Sequence, residues 1–453
     1  MKKFTKSQVT VIAALSAALI LLTAGILIER ALSGAFSAPP GAETPPTGAE
    51  AVYHKNRDAR ISLSPKLELE TNLGGSGDET LCDAYCLGDT LYIFGNTTSA
   101  DFDMENGSQA FMAVLTAYGR TEAFYFFGED NAPLFRAIPA EGGFLLALNG
   151  QKPRLVLVDY AGGVLHSAPA GLAATQDRIV DLKLLDGYYA AVVEHRANPL
   201  ARPQLRVTRY ARDLTVSYER EIRSAFSLTY VDCFFIGDAF TLFFNANSDI
   251  ACYAGAAVGN KTALEPKLTF IDDRKTPEYQ AAGVMPTAGG WAMAVVFRGK
   301  DGGENGAGVK CLNAAFVTET EQYIGLADPL AGQMYYYDSM YYTYFSAENS
   351  RSMTAFSADF TVKRRVPEFD DVTAVTDIRL SDSYALFGGV RGGKAAVIGA
   401  GGAFSAAAGA GAEHNVRVLP GEKGLYLICE SRLKGGDVGG NFGGSDIWIA
   451  RIR

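Results

Sequence analysis

One pattern recurs eight times past residue 60 and constrains the fold more than any other feature of the chain. A turn holding Gly, Asp or Ser leads into a short aromatic-rich apolar segment. The copies are Asp89-Thr-Leu-Tyr-Ile-Phe-Gly95, Gly142-Gly-Phe-Leu-Leu-Ala-Leu148, Asp186-Gly-Tyr-Tyr-Ala-Ala-Val-Val193 and Gly237-Asp-Ala-Phe-Thr-Leu-Phe-Phe244. They continue as Gly289-Gly-Trp-Ala-Met-Ala-Val-Val-Phe297, Asp338-Ser-Met-Tyr-Tyr-Thr-Tyr-Phe345, Ser381-Asp-Ser-Tyr-Ala-Leu-Phe387 and Glu422-Lys-Gly-Leu-Tyr-Leu-Ile428. Aligned on Leu91, Phe144, Tyr188, Phe240, Trp291, Tyr341, Tyr384 and Leu425, the steps are 53, 44, 52, 51, 50, 43 and 41 residues. Periods of about 40–50 residues with several strands per unit are the mark of a β-propeller.

Each unit is expected to close with a further strand. Examples are Phe111-Met-Ala-Val-Leu115, Leu155-Val-Leu-Val-Asp159, Leu205-Arg-Val-Thr-Arg209 and Ile447-Trp-Ile-Ala450. The spacing leaves room for two more strands, so four per blade follow. Alternation is weak in the aromatic strand, as it must be where both faces are buried. Residues 61–453 therefore read as an all-β propeller of seven or eight four-stranded blades, the two short final steps leaving the count open. The strand Ile447–Ile452 is expected beside the first blade, closing the ring.

The first unit carries a resemblance. Leu91-Tyr-Ile-Phe-Gly-Asn-Thr-Thr-Ser-Ala-Asp-Phe-Asp103, followed by Ser108-Gln-Ala-Phe-Met-Ala-Val-Leu115, resembles the bacterial β-propeller repeat called SBBP. Gly443-Gly-Ser-Asp-Ile-Trp-Ile-Ala-Arg-Ile452 resembles its closing strand. The resemblance implies a propeller with an exported or surface setting, and it transfers no catalytic residue.

Residues 1–60 differ in kind. Lys2, Lys3 and Lys6 precede an uncharged run, Ser7–Ile28, which Glu29 and Arg30 close. As a helix the run spans roughly 33 Å, enough for a hydrocarbon core of about 30 Å. It is longer than the roughly 7–15-residue apolar core of a cleaved signal peptide, although Ser33-Gly34-Ala35 offers a cleavage site. The expectation is a cytoplasmic tail and transmembrane anchor over 1–30, with membrane contact through 7–28 and the remainder extracytoplasmic. Residues 31–60, with Pro39-Pro40 and Pro45-Pro46, read as a Pro/Gly/Ala-rich stalk.

Forty-one basic against fifty acidic residues give −9, which argues against a nucleic-acid partner. His54, His166, His195 and His414 show no metal-ligand spacing and read as solvated loop residues. There is no Gly-x-Ser-x-Gly elbow. The Gly-rich stretch 399–411 lacks a P-loop Lys and reads as blade turns. Cys82, Cys86, Cys233, Cys252, Cys311 and Cys429 lie in apolar segments and read as buried thiols, with a Cys82–Cys429 bridge as the alternative.

Two features are candidate binding sites. Asp101-Phe-Asp-Met-Glu-Asn-Gly107 spaces Asp101, Asp103 and Glu105 like the start of a calcium loop, with Gly one place late and no distal Glu. Ordinary turn chemistry accounts for the same residues; no other cofactor is implied. The run Tyr335-Tyr-Tyr-Asp-Ser-Met-Tyr-Tyr-Thr-Tyr-Phe345 offers Tyr335, Tyr336 and Tyr337 near a turn, where rings meet sugars or protein partners. Alternation sends Tyr342 and Tyr344 to one face and Tyr341 and Phe345 to the other. The expected function is an interaction module binding an envelope protein or glycan. The alternative is an envelope glycan hydrolase or lyase with carboxylates at the central channel.

Overall fold

A computed structural model describes residues 67–100, 108–127, 132–171, 176–248, 252–262, 266–271, 278–298, 305–326, 329–347, 351–381, 384–399, 405–409, 413–432 and 444–452. The apolar run 7–28 and the stalk lie outside the described residues. Among those described, no helix is long and apolar enough to cross a membrane.

Each aromatic segment is the second strand of a four-stranded antiparallel blade. The first strands are Glu79–Leu87, Leu134–Ala140, Arg178–Leu185, Ser227–Ile236, Glu278–Thr287, Pro329–Tyr337, Val372–Ser381 and Glu413–Gly421. The second strands are Thr90–Thr97, Gly143–Leu148, Tyr188–His195, Ala239–Asn247, Gly290–Arg298, Met340–Ala347, Tyr384–Arg391 and Gly424–Ser431. At six of the eight junctions the first strands pack against one another, so the first strands surround the axis. Each blade is a separate sheet except blades 4 and 5, which are linked by a single parallel pairing, Cys252 with Glu278. The count is eight.

The segments expected to close each unit are third strands: Gln109–Thr116, Arg154–Asp159, Gln204–Ala211 and Asp446–Ile452. A fourth strand lies outside each. In blade 8 the fourth strand is Leu67–Leu73, the first of the described chain, which pairs with Asp446–Ile452. The ring is thus closed by the N-terminal strand joining the last blade, rather than by the C-terminal strand joining the first. Trp448, fully buried, donates its indole N–H to Glu70 across this seam at 3.1 Å.

Second strands are buried almost throughout, as in Gly143–Leu148, because blades pack on both of their faces. Tyr341 and Phe345 enter the core between blades 5 and 6, while Tyr342 and Tyr344 enter that between blades 6 and 7. Among the described residues, two-residue turns join the first strand to the second in seven of the blades. The turns after the third strands place one residue at positive φ, a left-handed conformation that suits glycine. Gly119 and Gly162 hold that place in blades 1 and 2, but Leu214, Phe316 and Phe360 hold it in blades 3, 5 and 6. Leu214 and Phe360 are buried there, and their packing offsets a strain of roughly 1–2 kcal/mol.

The thiol expectation holds in part: all six cysteines are free, but only Cys233, Cys252 and Cys429 are buried, Cys82, Cys86 and Cys311 being half-buried, and Cys82 donates to the Leu134 carbonyl instead of bridging to Cys429. The histidines differ from expectation. His166 is exposed on a strand, whereas His195 and His414 pair with the largely buried carboxylates of Asp177 and Glu430. Residues 399–411 include the fourth strand of blade 7, Ser405–Ala408, and are not turns alone.

Candidate functional site

Every first strand carries a register irregularity against its second strand. The residues just past it are Asp83, Arg136, Asp181, Asp232, Gly283, Ala331, Asp377 and Arg417 in blade order. Six of the eight are charged, and they form a belt around the axis. Arg136 pairs with Asp181 at 3.0 Å, and Lys183 bridges Asp181 at 3.5 Å and Asp232 at 2.5 Å. Arg379 holds Asp377 at 3.0 Å. Arg417 donates to the carbonyls of Thr376 and Cys82.

The acids also bind backbone. Asp83 accepts the Ala137 N–H and Asp377 the Val418 N–H, each in the next blade and each at 2.8 Å. Burial pushes the carboxyls of Asp83 and Asp232 up, while Arg417 and Lys183 respectively pull them down. Burial lowers the Lys183 ammonium, but Asp181 and Asp232 hold it above its ordinary range. Blades 5 and 6 contribute no acid or base past the irregularity. Four acids and four bases therefore neutralise one another along the axis from blade 7 round to blade 4, and this arrangement serves to lock blades together.

A second device repeats beside the belt. Asn96, Asn149 and Asn245 each accept the N–H and donate to the C=O of one residue in the next blade, Leu134, Ile179 and Ala281 respectively. At the ring closure Glu430 and Asn415 divide the same task on Leu81. The sequence signal was present. All three Asn and Glu430 sit five residues past the aligned aromatic-strand positions.

The face opposite the two-residue turns carries the connections between second and third strands, and the two longest are 98–108 in blade 1 and 432–445 in blade 8. Blades 1 and 8 are neighbours across the ring closure. The described feet of these two connections meet the segment 74–78. Asp78 accepts the Ser445 N–H at 2.8 Å, and its carbonyl accepts the Thr98 N–H at 2.9 Å. The Ser99 hydroxyl accepts the Gly77 N–H at 2.9 Å. A Cβ on Gly77 would lie 2.7 Å from the Thr98 and Ser99 backbone, so glycine is required for this approach. Behind these contacts the buried Glu79 carboxylate accepts the hydroxyls of Thr97 and Ser99 and the Gly75 N–H. Burial lifts its carboxyl, and the neighbouring Asp446 adds to the effect.

Asp101, Asp103 and Glu105 lie outside the described residues, just beyond Ser99. Among the described residues no three His, Cys, Asp or Glu gather as a metal set. Tyr335, Tyr336 and Tyr337 end a first strand on the face of the two-residue turns, and they do not form one platform. Tyr335 donates to Gln333 and packs edge-on against Phe387, and Tyr337 packs into the blade 6–7 core. Tyr336 turns the other way, against Tyr341, and is the exposed member. In blade 3, Asp177 joins His195 at 2.7 Å and Arg206 at 2.6 Å. The Thr208 hydroxyl donates to Glu219 and not to that histidine.

No protein-family model matches the chain, and no curated protein matches it. Its backbone is similar to the Dos1 propeller, at 9% identity over 85% of this chain and 95% of that one, with a TM-score of 0.49. It is also similar to the β-propeller domain of the Trilobed protease from Pyrococcus furiosus, at 10% identity over 72% and 94%, TM-score 0.43. A third likeness is Drosophila Plexin A in complex with Semaphorin 1b, at 9% identity over 86% and 88%, TM-score 0.40. These likenesses concern the fold alone, which rests here on the strand pairing.

Proposed function

We propose that the chain is a membrane-tethered, extracytoplasmic propeller that binds an envelope protein or glycan through its long-loop face and catalyses no reaction. The observation that carries the reading is the placement of the two longest connections. Their described feet stand side by side at the ring closure, fixed by the 74–79 network, and long loops on a rigid scaffold are where binding surfaces form. The run 7–28 supports the tether, and the SBBP-like first unit supports an exported setting. Against catalysis at the axis, Asp83, Asp181, Asp232 and Asp377 already bind cations or backbone N–H groups, leaving none of these carboxylates poised as a free acid or base.

Two measurements test the proposal. Alkaline extraction of membranes from the native cell should leave the full-length chain in the pellet, and deletion of 1–30 should release it. Crosslinking of the full-length chain in intact cells should give one protein or glycan adduct. Replacing 100–107 and 434–443 with short Gly/Ser turns should abolish that adduct, while Tyr336→Ala should leave it. An adduct lost with Tyr336→Ala but kept in the loop variant would move the binding surface to the opposite face.

A further inference from the structure

A second feature, independent of the long loops, lies between the outer strands of blades 5 and 6. The fourth strand of blade 6 is only Lys363–Arg365, where those of blades 1, 3 and 5 have seven residues. It pairs with Thr354, Ala355 and Phe356, one further bond runs from the Val366 N–H to the Met353 carbonyl, and the chain then turns into the Pro367–Phe369 helical turn. Among the described residues, the outer edge of the third strand at Arg351 and Ser352 therefore has no strand partner. A half-open cavity of about 320 Å³ occupies that place.

Its lining is out of character for an acidic protein. Lys363 and Arg365 line it together with the hydroxyl residues Ser352 and Thr354 and the strand-start residue Arg351, and no Asp or Glu is among the lining residues; Ile324, Gly325 and Leu326 form the remaining wall. Ser352 and Thr354 are buried, with their hydroxyls 3.5 Å apart at the floor. The Arg351 Nε is buried and has no hydrogen-bond partner among the described residues, but alternation along Arg351–Ser357 turns that side chain to the face of Met353, away from Ser352 and Thr354. Lys363 is held in place by donating to the Tyr323 carbonyl of blade 5. Arg365 contacts Asp370 at 3.0 Å, but both side chains are well exposed, and such a pair exchanges readily for a stronger acceptor.

We propose that this cavity binds the tetrahedral oxyanion of a small phosphate or sulfate ester. A carboxylate is satisfied by one bidentate Arg. Two cations on one strand, with two hydroxyl groups behind them, offer more donors than a carboxylate uses and match a group with three or more outward oxygens. The volume is at the lower end of the range for small-molecule sites, which fits a sugar-sized ester with its carbon frame against Ile324 and Leu326.

Calorimetric titration of the full-length protein tests this with inorganic phosphate, inorganic sulfate, hexose 6-phosphate, hexose 6-sulfate and the neutral hexose as probes. Saturable binding of at least one anionic probe is expected, weakening with added salt, and none of the neutral hexose. Lys363→Gln and Arg365→Gln should each weaken it by about tenfold or more. Arg223→Gln, an exposed cation of blade 3, should leave it unchanged. If inorganic phosphate or sulfate binds as tightly as the esters, the oxyanion site stands and the sugar contributes nothing. Lys363 and Arg365 are exposed, so both variants are expected to keep the fold and report on binding alone. The proposal is overturned if no anionic probe binds by roughly 10 mM, if the neutral hexose binds equally well, or if binding survives both Lys363→Gln and Arg365→Gln.

Discussion

Asn245 holds both backbone groups of Ala281, its Oδ1 2.8 Å from the amide nitrogen and its Nδ2 2.9 Å from the carbonyl oxygen, although the two residues belong to different blades. The contact is buried. Asn245→Ala would strand one donor and one acceptor away from water. The expected loss is about 2–3 kcal/mol of stability, read as a lowered denaturation midpoint. Equal stability of variant and wild type would show that blade packing alone fixes this junction.

Asp181 is the hub of the axial belt. It meets Arg136, Lys183 and the Tyr230 hydroxyl, and its side chain is almost fully buried. Asp181→Asn leaves Arg136 without its paired carboxylate and Lys183 with Asp232 alone. A loss of about 3 kcal/mol or more is expected, against a smaller loss for Arg136→Gln, whose side chain is 45% exposed. A double-mutant cycle on the two positions should show coupling, because they touch.

Glu79 makes a pH prediction. Burial lifts its folded carboxyl above the ordinary 4.5, despite hydrogen bonds from Ser99, Thr97 and Gly75. The native state therefore keeps the proton to higher pH than the unfolded chain does. Stability from this group is fully present below the unfolded pKa and declines as pH rises through the window up to the raised folded pKa. Glu79→Gln has no proton to lose. Its stability relative to wild type should improve as pH is raised from about 4 to 7, whatever fixed offset the amide brings. Denaturation curves across that range would show it, and a difference independent of pH would remove the effect.

The thiols should be inert in the folded protein. Burial pushes the Cys82 thiol up to about 12 and the Cys86 and Cys311 thiols up to about 11, and it lifts Cys233 and Cys429 well above the ordinary range. Little thiolate is then present at neutral pH. Alkylation at pH about 8, near the free-thiol pKa, should be slow in the native state and should reach all six cysteines on unfolding. Rapid native labelling at Cys233 or Cys429 would mean that the blade cores open.

The second strands are legible in the sequence because burial on both faces writes an uninterrupted apolar word, and turn residues mark its start. The third strands are legible too, but the fourth are mostly exposed and polar, as in Thr318–Ile324, and leave no apolar mark. For that reason Leu155–Asp159 and its equivalents look, in sequence, like the last strand of each unit. The axial belt is not legible, since Arg136 and Asp181 or Lys183 and Asp232 meet across blades and are 45 and 49 residues apart. Neighbours along a strand give no hint of such pairs. The tyrosine triplet is visible as composition, but strand alternation separates Tyr336 from Tyr335 and Tyr337, so a run of like residues does not become a shared surface.

The seam between Leu67–Leu73 and Asp446–Ile452 also sets how the ring would respond to mechanical load. Leu67 lies opposite Ile452 and Leu73 opposite Ile447, so a pull on the chain ahead of Leu67 falls first on one end of this pairing. Its hydrogen bonds would then break in succession toward Leu73, as in a zipper, rather than all at once in shear. The other seven blades, each built from continuous chain, would feel that pull only after the outermost strand of blade 8 had peeled away. Force drawn through the N-terminus would thus open the circle at one defined seam, starting on the face opposite the two longest loops and ending at their feet.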